Sequence, residues 1–169
     1  RMGLPIKHFI AANNANDIFY NYLLSGIYSP KASIQTIANA MDVGDPSNFA
    51  RILDLYKSSH TEICNHISGA TYTDDEIAAT MKKCYEQTGY VLDPHGACGY
   101  QALKDNLKEG ETGVFLETAH PAKFKEKVDD ILSTNIEIPT RLADFMKGKK
   151  QSLEMAADFS AFKQFLLSV

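Results

Sequence analysis

The sequence predicts an α/β fold in which a parallel sheet is flanked by helices, and three observations predict it. Short apolar runs at residues 5–12, 90–92 and 113–116 are bounded by polar residues, as buried strands are. Each run passes into a polar turn and then into an apolar stripe at helical spacing, the alternation of a parallel sheet with helices on its faces. The helix starts and stops carry capping residues and glycines.

The elements follow in chain order. Arg1-Met2-Gly3-Leu4-Pro5 has a basic residue, then glycine, then proline, which reads as a helix end, so the sequence is expected to begin inside a fold. Residues 5–12 read as a buried strand. Asn13-Asn14-Ala15-Asn16-Asp17 is a polar turn into a short helix over 18–25, closed by Gly26. Residues 29–45 carry Pro30 and Gly44 and read as a long loop. Ser47 is placed to cap a helix whose buried face is Phe49, Ile52, Leu53 and Tyr56. A helix is expected over 61–67. Thr73 and Glu76 form a capping box, with Asp74 and Asp75 in the first turn where the helix dipole favours anions. Ile77, Met81, Cys84 and Tyr85 form that helix's buried stripe, and Gly89 ends it. Residues 90–92 read as a brief strand, and Asp93-Pro94-His95-Gly96 opens a helix through Leu107. The strand at 113–116 leads through Glu117-Thr118-Ala119-His120 to a helix over 121–132, with Pro121 at its first position, where a missing N–H costs nothing. Two further helices close the chain, the last with Phe159, Phe162, Phe165 and Leu166 on one side.

Composition excludes several function classes. With 169 residues and 44% hydrophobic content, the chain can build one domain with a real core. A net charge of −4 argues against nucleic acid as a partner, since phosphate backbones require a basic face. The dense basic stretch Lys147-Gly148-Lys149-Lys150 reads as a solvated loop. No apolar run reaches membrane-spanning length, so no membrane partner is expected. Cys64, Cys84 and Cys98 are odd in number and lack metal-ligand spacing, which suits a reducing, cytoplasmic compartment.

Metal binding is not expected. His60 and Cys64 share a helix face but His66 does not, and no second cluster completes a four-ligand site. No glycine-rich phosphate loop is present. His95 and Cys98 lie three apart at a helix start, where a small cysteine is usually packing. The polar turns at 13–17, 93–96 and 118–120 carry more weight. In a parallel sheet all three project from the carboxyl edge of the strands, where open α/β sheets bind ligands. The plain alternative is that each caps the helix after it, for which Asp17 and Asp93 are suited.

Three strings sharpen this. Ile10-Ala-Ala-Asn-Asn-Ala-Asn-Asp17, Ala40-Met-Asp-Val-Gly-Asp-Pro-Ser-Asn48 and Thr118-Ala-His-Pro-Ala-Lys-Phe124 resemble threonine synthase, in that family's order and over nearly the whole chain. The resemblance implies a pyridoxal-phosphate lyase of the tryptophan-synthase β-like fold (fold type II), which converts O-phospho-L-homoserine and water to L-threonine and phosphate. It assigns residues 1–169 to the C-terminal portion of such an enzyme, a fragment of its large domain. The lysine that carries the cofactor and the loop that cradles its phosphate belong to the family's N-terminal half, and no lysine here sits in a matching Phe-Lys-Asp context. This chain alone is therefore expected to be inactive, without bound cofactor, and prone to self-association through uncovered sheet edges.

By the same resemblance, Thr118 hydrogen-bonds the pyridine nitrogen, and Asn14, Asn16 and Asp17 line the cofactor side of the cleft. Asn48, Arg51, His95, His120 and Lys123 are candidates for the substrate phosphate, because amide, imidazole and cationic donors suit a dianion. Gly96 stands where relatives often carry a hydroxyl residue. The alternatives are a threonine-synthase-like module that binds without catalysing, and an unrelated α/β domain that binds phosphoesters.

Overall fold

The structure is a computed structural model that describes residues 3–168. Arg1 and Met2, the first two of the five residues read as a helix end, lie outside the described residues. The chain divides into two compact units, Arg1–Glu137 and Ile138–Val169.

The first unit is organised around two parallel strands. β1 (Phe9–Asn13) pairs with β2 (Ile67–Thr71) in the register Phe9↔Ile67 to Asn13↔Thr71. Between them run α1 (Ile18–Ser25), a 3₁₀ turn at Asn39–Met41, α2 (Phe49–Leu55) and α3 (His60–His66). After β2 come α4 (Asp74–Thr88), α5 (Pro94–Asn106), a 3₁₀ turn at Pro121–Phe124 and α6 (Lys125–Leu132). Two apolar clusters hold these elements. Ile77, Met81 and Cys84 of α4 meet Leu92, Ala97 and Cys98 around α5, and Val128 and Leu132 of α6. Tyr22 and Leu23 of α1 meet Phe49 of α2 and Ile63 of α3. The second unit contains α7 (Thr140–Met146) and α8 (Phe159–Ser168), and the apolar side of α8 is exposed at Phe159, Phe162 and Leu166.

Local chemistry sets several boundaries as expected. α1 ends on Gly26 and α4 on Gly89, both left-handed. The Thr73 hydroxyl accepts from the Glu76 amide while the Glu76 carboxylate accepts from the Thr73 amide, completing the capping box. Asp93 caps α5, accepting from the His95 amide at 2.8 Å.

Other expectations are corrected. The first strand is shorter than residues 5–12 and shifted towards Asn13. Asn48, not Ser47, occupies the cap position of α2, and without a side-chain bond. The helix expected over 61–67 begins at His60, and Ile67 opens β2 instead. Residues 121–132 start as a 3₁₀ turn before becoming α-helical at Lys125. Residues 90–92 and 113–116 form no strand, and the sheet has two strands among the described residues. Val114 and Leu116 are 83% and 74% exposed. A strand is a partnership, and a local pattern states which face wants burial without supplying the neighbour.

The packing orders two substitutions. Met81 is fully buried in the larger cluster, so Met81→Ala is expected to cost about 2–5 kcal/mol of stability. Thr73→Ala removes only the box at the start of α4 and is expected to cost about 1 kcal/mol. Urea denaturation of both variants checks the ranking, and equal losses contradict it.

Candidate functional site

β1 ends at Asn13, and the chain turns through residues 14–17 into α1, which leaves a cleft of about 150 Å³ at the carboxyl end of the strand. Its walls include Asn13, Asn14 and Asn16 from the turn, Ala38 and Met41 from the long loop, and His95 from α5. Two of the three polar turns expected at one edge, 13–17 and 93–96, therefore meet here.

The asparagine turn is fully engaged within the chain. The Asn14 amide donates to Thr36 Oγ1 at 3.0 Å and to Asp42 Oδ1 at 3.1 Å. Asn16 pairs with the Ile34 backbone on both sides, accepting its N–H at 2.7 Å and donating to its carbonyl at 2.8 Å. It also donates to Asp42 Oδ1 at 3.1 Å. Asp42 further accepts from the Thr36 amide and hydroxyl at 3.0 and 2.7 Å. One carboxylate thus collects donors from β1's turn and from its own loop. Asp17 extends the clamp with a 2.7 Å ion pair to Lys31. Partial burial pushes the Asp17 carboxyl up, but bonds from Lys31 and Asn21 outweigh it and hold the group below its ordinary value. Asn14, Asn16 and Asp17 line or adjoin the cleft mainly as anchors of the loop that walls it.

The second cluster lies at the start of α5. Asp93 has no exposure to solvent. Its Oδ1 accepts from the His95 amide and lies 2.7 Å from His95 Nδ1. The Asp93 amide donates to Glu117 Oε1 at 2.7 Å. Glu117 packs against the α-carbon of Gly96 so closely that a Cβ there would collide with its carboxyl group. A hydroxyl-bearing side chain at this position is therefore incompatible with the observed seat of Glu117. Burial pushes the Asp93 carboxyl up, yet its hydrogen bonds to His95 and Glu117 prevail and lower it. Burial, with the neighbouring Asp93 charge, pushes Glu117 up to about 7.

The third turn is joined to this cluster through Glu117. Thr118 is exposed, and its hydroxyl makes no hydrogen bond among the described residues. His120 caps the 3₁₀ turn, its Nδ1 accepting from the Ala122 amide at 3.1 Å, and it lines a separate groove with Glu117 and Tyr90. Lys123, Asn48 and Arg51 are exposed, and none is among the residues lining the cleft. His60 and Cys64 do share a face: Nε2 lies 3.3 Å from Sγ, while the ring also bonds the Tyr22 and Leu23 carbonyls at the end of α1. Cys98 is buried, bonds the Pro94 carbonyl and is pushed up to about 12 by burial, which suits packing rather than attack.

Within the cleft Ala38 and Met41 offer apolar surface against which a planar ring could lie, and His95 Nε2 is buried without a partner, as a site for an acidic group requires; Thr118, with its unengaged hydroxyl, is not among the lining residues. Neither Asp42 nor Glu117 stands out from the sequence as a site residue, although Asp42 lies inside the Ala40–Asn48 string and Glu117 directly precedes Thr118. Their partners lie 6–28 and 24 residues away, beyond any local spacing rule.

The clamp predicts a local change. Asp42→Ala removes charge-assisted bonds together worth about 2–3 kcal/mol. Hydrogen exchange is expected to speed at the Ile34 and Thr36 amides while the β1–β2 ladder stays protected, and uniform change along the chain contradicts the clamp.

Comparison with known proteins places this geometry. Residues 2–118 match the family model described as "Pyridoxal-phosphate dependent enzyme", and residues 96–166 match "Threonine synthase, C-terminal". The chain is 44% identical over 166 residues to a threonine synthase of Haemophilus influenzae, covering 98% of this chain and 39% of that one. A crystal structure of threonine synthase from Escherichia coli superposes with a TM-score of 0.83 at 40% identity, over 99% of this chain and 39% of that one. A structure of threonine synthase with bound PLP from Brucella melitensis gives 0.81 at 28% identity, over 98% and 41%. The chain spans about 39% of the length of the curated relatives just named. Continuous similarity from the asparagine turn to the Thr118-Ala-His-Pro turn leaves one conclusion: the chain belongs to the pyridoxal-phosphate-dependent enzyme family, and within it is similar over nearly its whole length to threonine synthases.

Proposed function

We propose that this chain is the C-terminal part of a threonine synthase, which converts O-phospho-L-homoserine and water to L-threonine and phosphate. The observation that supports it most is similarity across 98–99% of the chain to threonine synthases, with the cleft-forming turns inside the matched span. When bound, pyridoxal phosphate supplies an electron sink for carbanions beside the substrate amine.

The chain's own residues then take distinct parts. Thr118 donates its free hydroxyl to the pyridine nitrogen, a neutral partner that leaves this nitrogen less positively charged than a carboxylate does. Asn14, Asn16 and Asp17 hold the loop that walls the cofactor side. His95 meets the ligand within the cleft, while Arg51, Asn48, His120 and Lys123 present donors and cations suited to a phosphate dianion. The lysine that carries the cofactor is not assigned to any lysine here, so the isolated chain does not turn over. Uncovered apolar segments, such as Val114 and Leu116, favour its self-association.

Phosphate release from O-phospho-L-homoserine by the full-length protein is the test. The full-length protein is expected to form L-threonine and the isolated chain to form none. Thr118→Val is expected to lower kcat about five- to ten-fold by removing one hydrogen bond of about 1 kcal/mol. No release by a full-length protein that binds the cofactor contradicts the proposal.

A further inference from the structure

The cluster at the start of α5 holds three buried polar atoms without partners: Asp93 Oδ2, Glu117 Oε2 and His95 Nε2. Orphaned buried acceptors are costly, and two carboxylates side by side in a dry site cannot both stay ionised. The side chains of Asp93 and Glu117 are within hydrogen-bonding reach of each other. Two neighbouring carboxyl groups, each with one oxygen lacking a donor, are the signature of one missing proton between them.

We propose that Glu117 is a buried carboxylic acid that donates its O–H to Asp93, and that this pair positions His95 to bind an oxyacid group of the ligand in the cleft. Asp93 is the ionised member, because it already receives the His95 amide and faces His95 Nδ1. Glu117 is the protonated member, because its other oxygen receives only the Asp93 amide and its carboxyl is seated against Gly96. With the Glu117 proton on one side, Asp93 accepts the Nδ1–H on the other, which fixes the imidazole's tautomer and orientation. Nε2 is then the ring atom left for the ligand, sharing one proton with a phosphate or carboxylate oxygen. Glu117 and Asp93 are positioning residues; neither touches the ligand. The ligand half rests on the function proposed above, and the proton-sharing half does not.

The groups facing the pair are His95 and Cys98 on α5, Tyr90 just after α4, and His120 and Glu137 across the neighbouring groove. The folded protein holds the Glu117 proton to about 7, against 4.5 for the free side chain. Between those values the native state binds more protons than the unfolded chain, so stability falls as pH rises across that window.

Infrared spectroscopy of the full-length protein across this range tests the pair. A protonated-carboxyl stretch is expected below the midpoint, lost with a midpoint of about 7, and missing at every pH in Glu117→Gln, whose amide reproduces the donated bond permanently. Asp93→Asn is expected to lower the midpoint, since the charge that retains the proton is gone. In ring-nitrogen NMR, His95 is expected to show the Nδ1–H tautomer in the natural protein and to keep it in Glu117→Gln. A stretch that survives Glu117→Gln, or one titrating in the ordinary carboxylate range, overturns the shared proton. Inorganic phosphate is expected to shift the His95 Nε2 resonance, and no shift overturns the ligand assignment. Neither readout needs turnover, so a protein that makes no threonine removes the proposed function while leaving the carboxyl pair standing.

Discussion

A carboxylate with no access to water must be surrounded by donors, and much of this site follows from how Asp93 obtains them. Its position at the start of α5 supplies the His95 amide, and the neighbouring imidazole supplies a ring nitrogen at 2.7 Å. Its own amide then reaches Glu117, which brings the segment 113–118 onto the helix start. Thr118 follows directly in the chain, so its placement is inherited from that attachment. The smallness of Gly96 is the steric condition for the arrangement.

The opposite wall is built on the same logic with a different acid. Asp42 gathers Asn14, Asn16 and Thr36 through four bonds of 2.7–3.1 Å. A loop as long as residues 29–45 has no ladder or helix to hold it, and side-chain acceptors do that work instead. This changes the part played by the asparagines. Their amides are committed to the loop, which shapes the cleft without requiring them to contact what enters it. The cleft therefore has two hydrogen-bonded walls, one anchored by Asp42 and one by Asp93, on either side of the end of β1.

What was legible in the sequence was local. α1, α4 and α5 carry their own start and stop chemistry, and their boundaries were readable from Gly26, Thr73, Glu76, Gly89 and Asp93. β2 was not, because Ile-Ser-Gly-Ala-Thr lacks the bulky alternation of a typical strand. Its small residues admit the neighbouring helix, and a Cβ at Gly69 would meet Tyr20 Cδ2 at 2.9 Å. The runs at 90–92 and 113–116 erred in the other direction, having strand composition without a partner. The polar turns were identified as the chemical edge, yet the residues that fix their geometry, Asp42 and Glu117, act across distances that no periodicity encodes. Asp42 lies inside one of the strings resembling threonine synthase and Glu117 directly before another, but neither string states what those carboxylates bind.

The proposed function depends on which atoms of this chain meet the cofactor and the ligand. The most direct measurement is a crystal structure of the full-length protein with pyridoxal phosphate and a phosphate-bearing substrate analogue. Thr118 Oγ1 is expected at hydrogen-bond distance from the ring nitrogen, His95 Nε2 paired with an oxygen of the analogue, and Asn14 and Asn16 still bound to Asp42. A ring nitrogen facing another residue, with His95 Nε2 still unpaired, contradicts it.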